Sequence, residues 1–459
     1  MPLSFHGAHV LVTGAGVTGP PVAKTLLAAG AVVTVTDANT DRLRSLAESL
    51  PGLRVAHNLA TPPPDTALVV TAPGWRPDAP VLAAAAAAGI EVIGDVELAW
   101  RLCAELAEPP VWLAVTGTNG KTTTVAMLAE ILTAAGLDAV ACGNIGLPVL
   151  TAVAAGHRVL AVELSSFQLY WAPSVRPAAG ALLNIAEDHL DWHGDMAAYA
   201  AAKARVLTGA VAIGGVQDDQ VAKLLAAAPA RKHVGIRLTE PGPGELGVVD
   251  GALVDRAFAD DEPLADVADV TPAGPTGVFD ALAAAALARS HGVPATAVAT
   301  GLRAFRPAEH RAAVIAEIGG IRYVDDSKAT NPHAAAASLA AHERVVWIAG
   351  GLLKGAHVDD LVARTADRLA GVVLIGRDAN VIATALARHA PDVPTVRLPT
   401  GDDDGMSTMC AAVLAARAMA RPGDVVLLAP AAASMDMFTD YKERGRAFAA
   451  AVRTLPEPE

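Results

Sequence analysis

Two glycines, a lysine and a run of hydroxyls stand together at Gly117-Thr118-Asn119-Gly120-Lys121-Thr122-Thr123. Residues of these types at this spacing suit phosphate. A glycine turn between a strand and a helix aims backbone N–H groups, and the positive end of the helix, at an anion. Lys121 adds a point charge for phosphate oxygens, and the Thr122 hydroxyl is a hard donor for Mg²⁺. The glycines stand closer together than in the common G-x-x-x-x-G-K-[ST] loop. A purely structural turn would not need Lys-Thr at the helix start. Lysine is rare, only eight in the chain. Four of the eight, Lys121, Lys203, Lys328 and Lys354, fall inside the motifs discussed below.

These residues need elements to hold them. Val111–Thr116 is an apolar run rich enough in β-branched residues for a buried strand. Helical spacing of Met127, Leu128, Ile131 and Leu132 follows the loop and stops near Gly136. A strand from His157 to Val162 delivers Glu163 at its carboxyl end. A carboxylate one strand over from a phosphate loop is where a Mg²⁺ ligand belongs. Gly180–Ile185 is a further strand, leading into Glu187-Asp188-His189. Asp195 caps a helix that carries Tyr199 and Lys203. On its own, Lys203 reads equally as a solvated lysine on a helix face. Residues 237–275, rich in Gly, Pro and Asp, should form hairpins and loops.

Residues 1–99 read as a small doubly wound unit with strands at Ala8–Thr13, Ala31–Thr36, Ala67–Thr71 and Glu91–Ile93. Gly14-Ala15-Gly16-Val17-Thr18-Gly19 after the first strand and Asp37 after the second make a dinucleotide-binding fingerprint. Three readings fit it: a nicotinamide cofactor site, a tight turn without a ligand, or a cradle for the diphosphate and uridine of a UDP-linked substrate. From residue 308 onward, strands at Ile321–Asp325, Val345–Ala349, Val372–Ile375 and Val425–Leu428 alternate with helices, which predicts a second open parallel sheet. The expected fold is α/β in three domains. Residues 1–99 are Rossmann-like, 100–307 carry the P-loop, and 308–459 are again Rossmann-like.

The 459 residues carry a formal charge of −13, which argues against a general nucleic-acid binder. The three cysteines, Cys103, Cys142 and Cys410, lack metal or disulfide spacing, which fits a reducing compartment. No apolar run is long enough to span a bilayer, and the first residues lack a signal-peptide pattern. A cytoplasmic, monomeric protein without membrane insertion is expected.

The motifs together resemble the Mur ligase family over essentially the whole chain. They are the phosphate loop, Gly143-Asn144-Ile145-Gly146, Glu163-Leu164-Ser165-Ser166-Phe167-Gln168-Leu169, Glu187-Asp188-His189, the Tyr199–Lys203 helix, His310-Arg311, Asp326-Ser327-Lys328-Ala329-Thr330-Asn331, the Gly350–Lys354 loop and Ser434-Met435-Asp436. Ser165–Leu169, Asp326–Asn331 and the first domain point to the branch that adds D-glutamate to UDP-N-acetylmuramoyl-L-alanine for peptidoglycan. The resemblance implies ATP, two Mg²⁺ ions and an acyl-phosphate intermediate. It places Lys121, His189, Lys203 and Arg311 in catalysis, and Thr122, Glu163, His189 and Lys203 at the metals, with Lys203 as a carbamate. ATP would meet Gly117, Thr118, Asn119, Gly120, Lys121, Thr122, Thr123, Asp280, Arg311, Asp326 and Lys328. The UDP substrate would meet Val17, Thr18, Asp37, Pro73, Gly74, Asn144, Gln168 and His189. D-Glutamate would meet Thr330, Lys354, Ser434 and Tyr441. Departures are Asp280 where the family often has asparagine, Ala38 and Ala72 in place of hydroxyls, and Tyr441 in place of phenylalanine. Closure of the third domain onto the second is also expected. Two other readings are a related ligase for another amino acid and an NAD(P)-dependent oxidoreductase. The oxidoreductase leaves the phosphate loop, Glu163 and the third domain without a task.

Overall fold

The computed structural model describes residues 5–307, 309–399 and 405–456. They form two compact units. One takes in residues up to 185, 189–270 and 278–305; the other takes in 186–188, 271–277 and 306 onward.

The first unit contains two sheets. In the first, β1 (His9–Thr13), β2 (Val32–Asp37), β3 (Arg54–His57), β4 (Thr66–Thr71) and β5 (Glu91–Gly94) run in the order β3-β2-β1-β4-β5, all parallel. Val10, Leu11, Val12, Val33, Val35, Val69 and Val70 are buried, as expected of strands covered on both faces. The order reverses between β1 and β4, and ligands of open α/β sheets lie outside the strand ends at such a point. β3 was not expected. It is a four-residue edge strand with only Ala56 partly buried, so it has no alternation to read.

The second sheet holds β6 (Val111–Thr116), β7 (Ala139–Gly143), β8 (Val159–Glu163), β9 (Ala179–Leu182), β10 (Val211–Gly215), β11 (Lys232–Ile236), β12 (Glu245–Val249), β13 (Ala252–Asp255) and β14 (Glu262–Asp266). Its order is β14-β13-β12-β11-β10-β9-β6-β8-β7, with β12 to β14 antiparallel as the predicted hairpins. The helix Pro275–Ser290 is buried along most of its length, with Ala281, Ala283, Ala284, Ala285, Ala286 and Ala288 at 0% exposure. Its alanines suit a helix enclosed by neighbours rather than one with a single apolar stripe. The helices Lys121–Ala134 and Ala295–Ala304 also approach closely, since a Cβ on Gly301 would lie 2.4 Å from Ile131 Cα.

In the second unit, β15 (Ala313–Ile318), β16 (Ile321–Asp325), β17 (Val345–Gly350), β18 (Leu369–Ile375), β19 (Thr395–Arg397) and β20 (Val425–Leu428) run in the order β15-β16-β20-β17-β18-β19. The four expected strands form the parallel sheet, and two edge strands were not expected: β15, antiparallel on β16, and the short β19, parallel to β18. Among the described residues no helix is long and apolar enough to cross a membrane.

Candidate functional site

The phosphate loop joins β6 to the helix Lys121–Ala134, as its sequence demands. Gly120 at the N-cap has φ +85, and a Cβ there would lie 2.3 Å from Asp280 Oδ1, so this position needs glycine twice over. That proximity also sets Asp280, nearly fully buried, against the loop. Lys121 Nζ donates to the carbonyls of Gly117 (2.9 Å) and Thr118 (2.8 Å), which keeps its ammonium at the loop. Asn119 N donates to Asn184 Oδ1 at 2.9 Å, tying the loop to the end of β9. Thr118 Oγ1 lies 3.0 Å from the Tyr199 hydroxyl. Thr122 is partly buried at the helix start, and Thr123 is buried behind it.

β6 and β8 pair in register so that Glu163 stands opposite Val115, just before the loop. Glu163 is 1% exposed. Its Oε1 accepts from Asn144 Nδ2 at 2.8 Å, while Oε2 is buried with no hydrogen-bond partner among the described residues. A buried carboxylate oxygen left unmatched is costly unless something else meets it. Lys203, 2% exposed, reaches the same loop, with Nζ donating to Gly117 O at 2.7 Å and lying 4.7 Å from the Tyr199 ring centre. Among the described residues no three His, Cys, Asp or Glu gather as a metal-holding cluster. Mg²⁺ asks less of a protein, since one or two carboxylates plus substrate phosphates complete its shell. Glu163 with the Thr122 hydroxyl fits that requirement.

His189 caps the short helix Leu190–His193 at φ +55, a left-handed conformation uncommon for a residue with a side chain. Its ring centre lies 4.6 Å from that of Phe167. His193, which sequence reasoning passed over, also meets Phe167. It lies 5.7 Å from Phe167, stacked, and its Nε2 is 2.9 Å from Ser166 Oγ. Burial, and then the charges of His189 and Lys203, push its pKa down to about 4, so it stays a neutral imidazole. Gln168 is buried, and its Oε1 accepts from Ser165 N at 3.0 Å in a capping box.

In the first sheet the loops at the carboxyl ends of β1 and β4 pack closely. Gly14 has φ +98, and a Cβ there would meet Ala72 Cβ at 2.8 Å and Trp75 Nε1 at 3.2 Å. Asp37 holds the glycine loop, its Oδ2 accepting from Ala15 N at 2.7 Å and Oδ1 from Asn39 N at 2.8 Å. Val17 is 78% exposed at the loop tip, and the Thr18 side chain makes no cap bond to the helix it precedes. Pro73 and Gly74 follow β4, and the segment is tied to the second sheet. Trp171 Nε1 donates to Trp75 O (3.3 Å), Trp192 Nε1 donates to Gly74 O (3.2 Å), and the Arg76 guanidinium donates to Asp191 O. Aromatics are 4% of the chain, yet Trp75, Phe167, Tyr170, Trp171, Trp192 and Tyr199 concentrate here.

In the second unit, three strand-end loops are sewn together. Ala431 N donates to Ala329 O (2.9 Å), Leu352 N to Ala433 O (2.8 Å), Ala433 N to Leu352 O (2.9 Å) and Gly350 N to Pro430 O (2.8 Å). Arg444, 1% exposed, donates to Ser327 Oγ (3.0 Å), Ser327 O (2.9 Å) and Ala432 O (3.0 Å). Burial lowers its pKa to about 10. His310 Nδ1 lies 2.6 Å from Asp325 Oδ2, both buried. The Asp326 carboxyl is pushed up to about 6 by desolvation, opposed first by the Ser338 hydroxyl and the Ala312 backbone and then by the Arg311 guanidinium. Lys328 Nζ lies 4.1 Å from the Tyr441 ring centre, so the residue that departs from the family pattern supplies an aromatic face to a loop cation. Thr330 N donates to Lys328 O at 2.7 Å. Lys354 is exposed at φ +53, and Ser434 is buried at the end of the loop after β20.

Known proteins bear on these sites. Residues 115–239 match the Mur ligase middle domain, residues 310–432 the Mur ligase, glutamate ligase domain, and residues 4–85 the C-terminal domain of alanine dehydrogenase/PNT. A UDP-N-acetylmuramoylalanine–D-glutamate ligase of Rhodococcus jostii is 56% identical, covering 98% of this chain and 96% of its own. The protein of the same name from Mycolicibacterium smegmatis is 54% identical, covering 97% of each. Among solved structures, UDP-N-acetylmuramate-alanine ligase MurC of Thermotoga maritima superposes with TM-score 0.59 at 18% identity, over 98% of this chain and 100% of that one. MurF ligase of the same organism, solved in complex with ADP, gives 0.55 at 17% identity, over 92% and 95%. At those identities the structures speak to the fold alone.

Proposed function

The chain belongs to the Mur ligase family, and from that premise we propose how its residues carry the family's reaction. It is an ATP-dependent ligase that joins D-glutamate to UDP-N-acetylmuramoyl-L-alanine in peptidoglycan synthesis. The acceptor carboxylate attacks the γ-phosphate of ATP, giving an acyl phosphate and ADP. The amine of D-glutamate then attacks that carbonyl, and phosphate leaves. Negative charge grows on oxygens in both steps, so cations placed in advance lower both barriers.

The single observation that carries this reading is the unmatched Oε2 of buried Glu163 beside a glycine loop that already holds two lysine ammoniums. Thr122 and Glu163 would hold one Mg²⁺, and His189 with Lys203 the second. These ions would screen the phosphate charge and polarise the transferred group. Lys121 and the loop N–H groups clamp the β- and γ-phosphates, and Arg311 completes the clamp. Lys203 as an ammonium would repel a metal. A carbamate formed from its neutral amine and CO₂ makes it an anionic oxygen donor, a change open to lysine and closed to arginine. Asn119, Thr123, Asp280, Asp326 and Lys328 bind the rest of the nucleotide.

Val17, Thr18, Asp37, Pro73 and Gly74 hold the UDP moiety at the carboxyl ends of the first sheet's strands. Asn144, Gln168 and His189 meet the muramoyl-alanine end. Thr330, Lys354, Ser434 and Tyr441 hold D-glutamate, a lysine and hydroxyls being suited to two carboxylates. We place the domain boundaries near residues 99 and 307, and the protein in the cytoplasm as a monomer. The test is phosphate release with ATP, Mg²⁺ and UDP-N-acetylmuramoyl-L-alanine, each common amino acid being added in turn. Release with D-glutamate, and a product heavier by one glutamate residue, is the expected result. Release with a different amino acid alone would move the specificity, and no release with any would overturn the assignment.

A further inference from the structure

The helix Leu190–His193, which begins at His189, has no buried residue. It is held from one side, where Trp192 packs partly buried against the core cluster around Leu11, Val69 and Trp171, and by specific contacts. Trp192 supplies two of them from opposite ends of one side chain. Its indole N–H donates to Gly74 O at 3.2 Å, in the loop after β4. Its ring lies 4.9 Å from Phe167, which also meets the His189 ring at 4.6 Å and the His193 ring at 5.7 Å. The Arg76 guanidinium, donating to Asp191 O, ties the same loop to the same helix. Tryptophan is suited to this position because it joins a large apolar body to a single polar tip.

We propose that Trp192 is a positioning residue that couples the acceptor-binding loop, Pro73 to Arg76, to His189. A UDP-linked acceptor seated on that loop then sets the imidazole through Gly74 O, the indole and Phe167. The proposal rests on the ligase reading above, and it adds a residue that contacts neither nucleotide nor D-glutamate. The two ends of the side chain can be separated by substitution. Phenylalanine keeps a ring against Phe167 and removes the N–H; alanine removes both.

The experiment compares wild type, Trp192→Phe and Trp192→Ala. Binding of UDP-N-acetylmuramoyl-L-alanine is measured by calorimetry without ATP, and steady-state kinetics are measured at saturating ATP and D-glutamate. Loss of one neutral hydrogen bond predicts an acceptor Kd and KM about three- to tenfold higher in Trp192→Phe, with kcat unchanged. Trp192→Ala should show the same weakening and a kcat lower by about ten- to a hundredfold, because His189 is no longer held. ADP affinity should stay at the wild-type value in both, which a general folding defect would not allow. Wild-type acceptor affinity in Trp192→Phe, or wild-type kcat in Trp192→Ala, overturns the proposal. A wild-type protein that binds the acceptor and never releases phosphate overturns the ligase reading instead, and the Trp192→Phe affinity still decides the coupling.

Discussion

At the end of β6, polar groups from the loop, from β8 and from the Tyr199–Lys203 helix meet, and the Glu163 carboxylate is left with an unmet demand among the described residues. Lys121 folds onto Gly117 and Thr118 of its own loop, and Glu163 keeps a buried oxygen without a partner. At the ends of β16, β17 and β20 the arrangement is reversed. Loops far apart in sequence are tied by backbone bonds, and the buried Arg444 satisfies carbonyls of two of them. On the proposed reading the first region is completed by what it binds; the second is held together by its own backbone bonds, although Asp436 Oδ1 in its loops also lacks a partner among the described residues. Substitutions in the first should therefore remove activity and spare the fold. Those in the second should cost stability before they cost activity.

Glu163→Gln tests the first half with the largest expected effect. We expect a rate lower by about 10²- to 10³-fold or more, since charge placed for the transition state is lost. The thermal midpoint should not fall, because no partner of Oε2 is lost and Oε1 can still accept from Asn144. A variant that unfolds several degrees earlier would show that Glu163 belongs to the self-completed kind.

Arg444→Met is the counterpart. It leaves the carbonyls of Ser327 and Ala432 without their buried donor, at about 1–3 kcal/mol for each group, and relief of a buried charge offsets part of that. A net loss of about 2–3 kcal/mol by denaturant unfolding is expected, with weaker D-glutamate binding as the secondary effect. Unchanged stability with abolished activity would collapse the distinction between the two regions.

Asp95 provides a control, because it also buries an oxygen without a partner and lies in neither region. Burial pushes its pKa up to about 7 from 3.8. A raised folded-state pKa means that the protonated form favours the native state. Its contribution is full below about pH 4 and is lost as pH rises through about 7. Asp95→Asn should remove this slope. Its stability relative to wild type should grow between pH 4 and pH 8 by an amount on the order of a few kcal/mol. Catalytic rates at pH 8 should match wild type. If Asp95→Asn were as inactive as Glu163→Gln, the unmatched oxygen of Glu163 would lose its special meaning.

The same contrast governs what could be read from sequence. The phosphate loop, Glu163 at a strand end and the capped Tyr199–Lys203 helix were legible because each depends on neighbours close in the chain. Most central strands were legible from their apolar runs, whereas the interior β10 and β11 and the edge strands β3, β15 and β19 were not. Edge strands bury little, so their residues carry no pattern. Arg444 and Trp192 were missed for a different reason. Arg444 sits in an amphipathic helix where an arginine ordinarily faces water, and only the distant Ser327 and Ala432 make it internal. The partner of Trp192, Gly74 O, is a backbone atom that any residue at that position would offer.

Lys354 lies where the two kinds of region meet. It belongs to the tied loops by position, since the Leu352–Ala433 pair anchors its neighbour, yet its own backbone is held at φ +53 with the side chain exposed. Left-handed backbone costs a residue with a Cβ roughly 1–2 kcal/mol, and such strain gathers at sites where the chain must aim a group. Lys354→Ala keeps the strain and removes the ammonium. Lys354→Gly removes both, and glycine returns part of the gain as unfolded-state entropy. Both variants should raise the D-glutamate KM to the same degree if, as proposed, the ammonium meets the carboxylate. The glycine variant alone should be more stable than the alanine variant, by about 0.5–1 kcal/mol. Equal KM values with unequal stabilities would mean that the strain is maintained to aim Lys354. Equal stabilities would mean that the tied loops impose no strain there, and that the self-completed region is as relaxed as its bonds suggest.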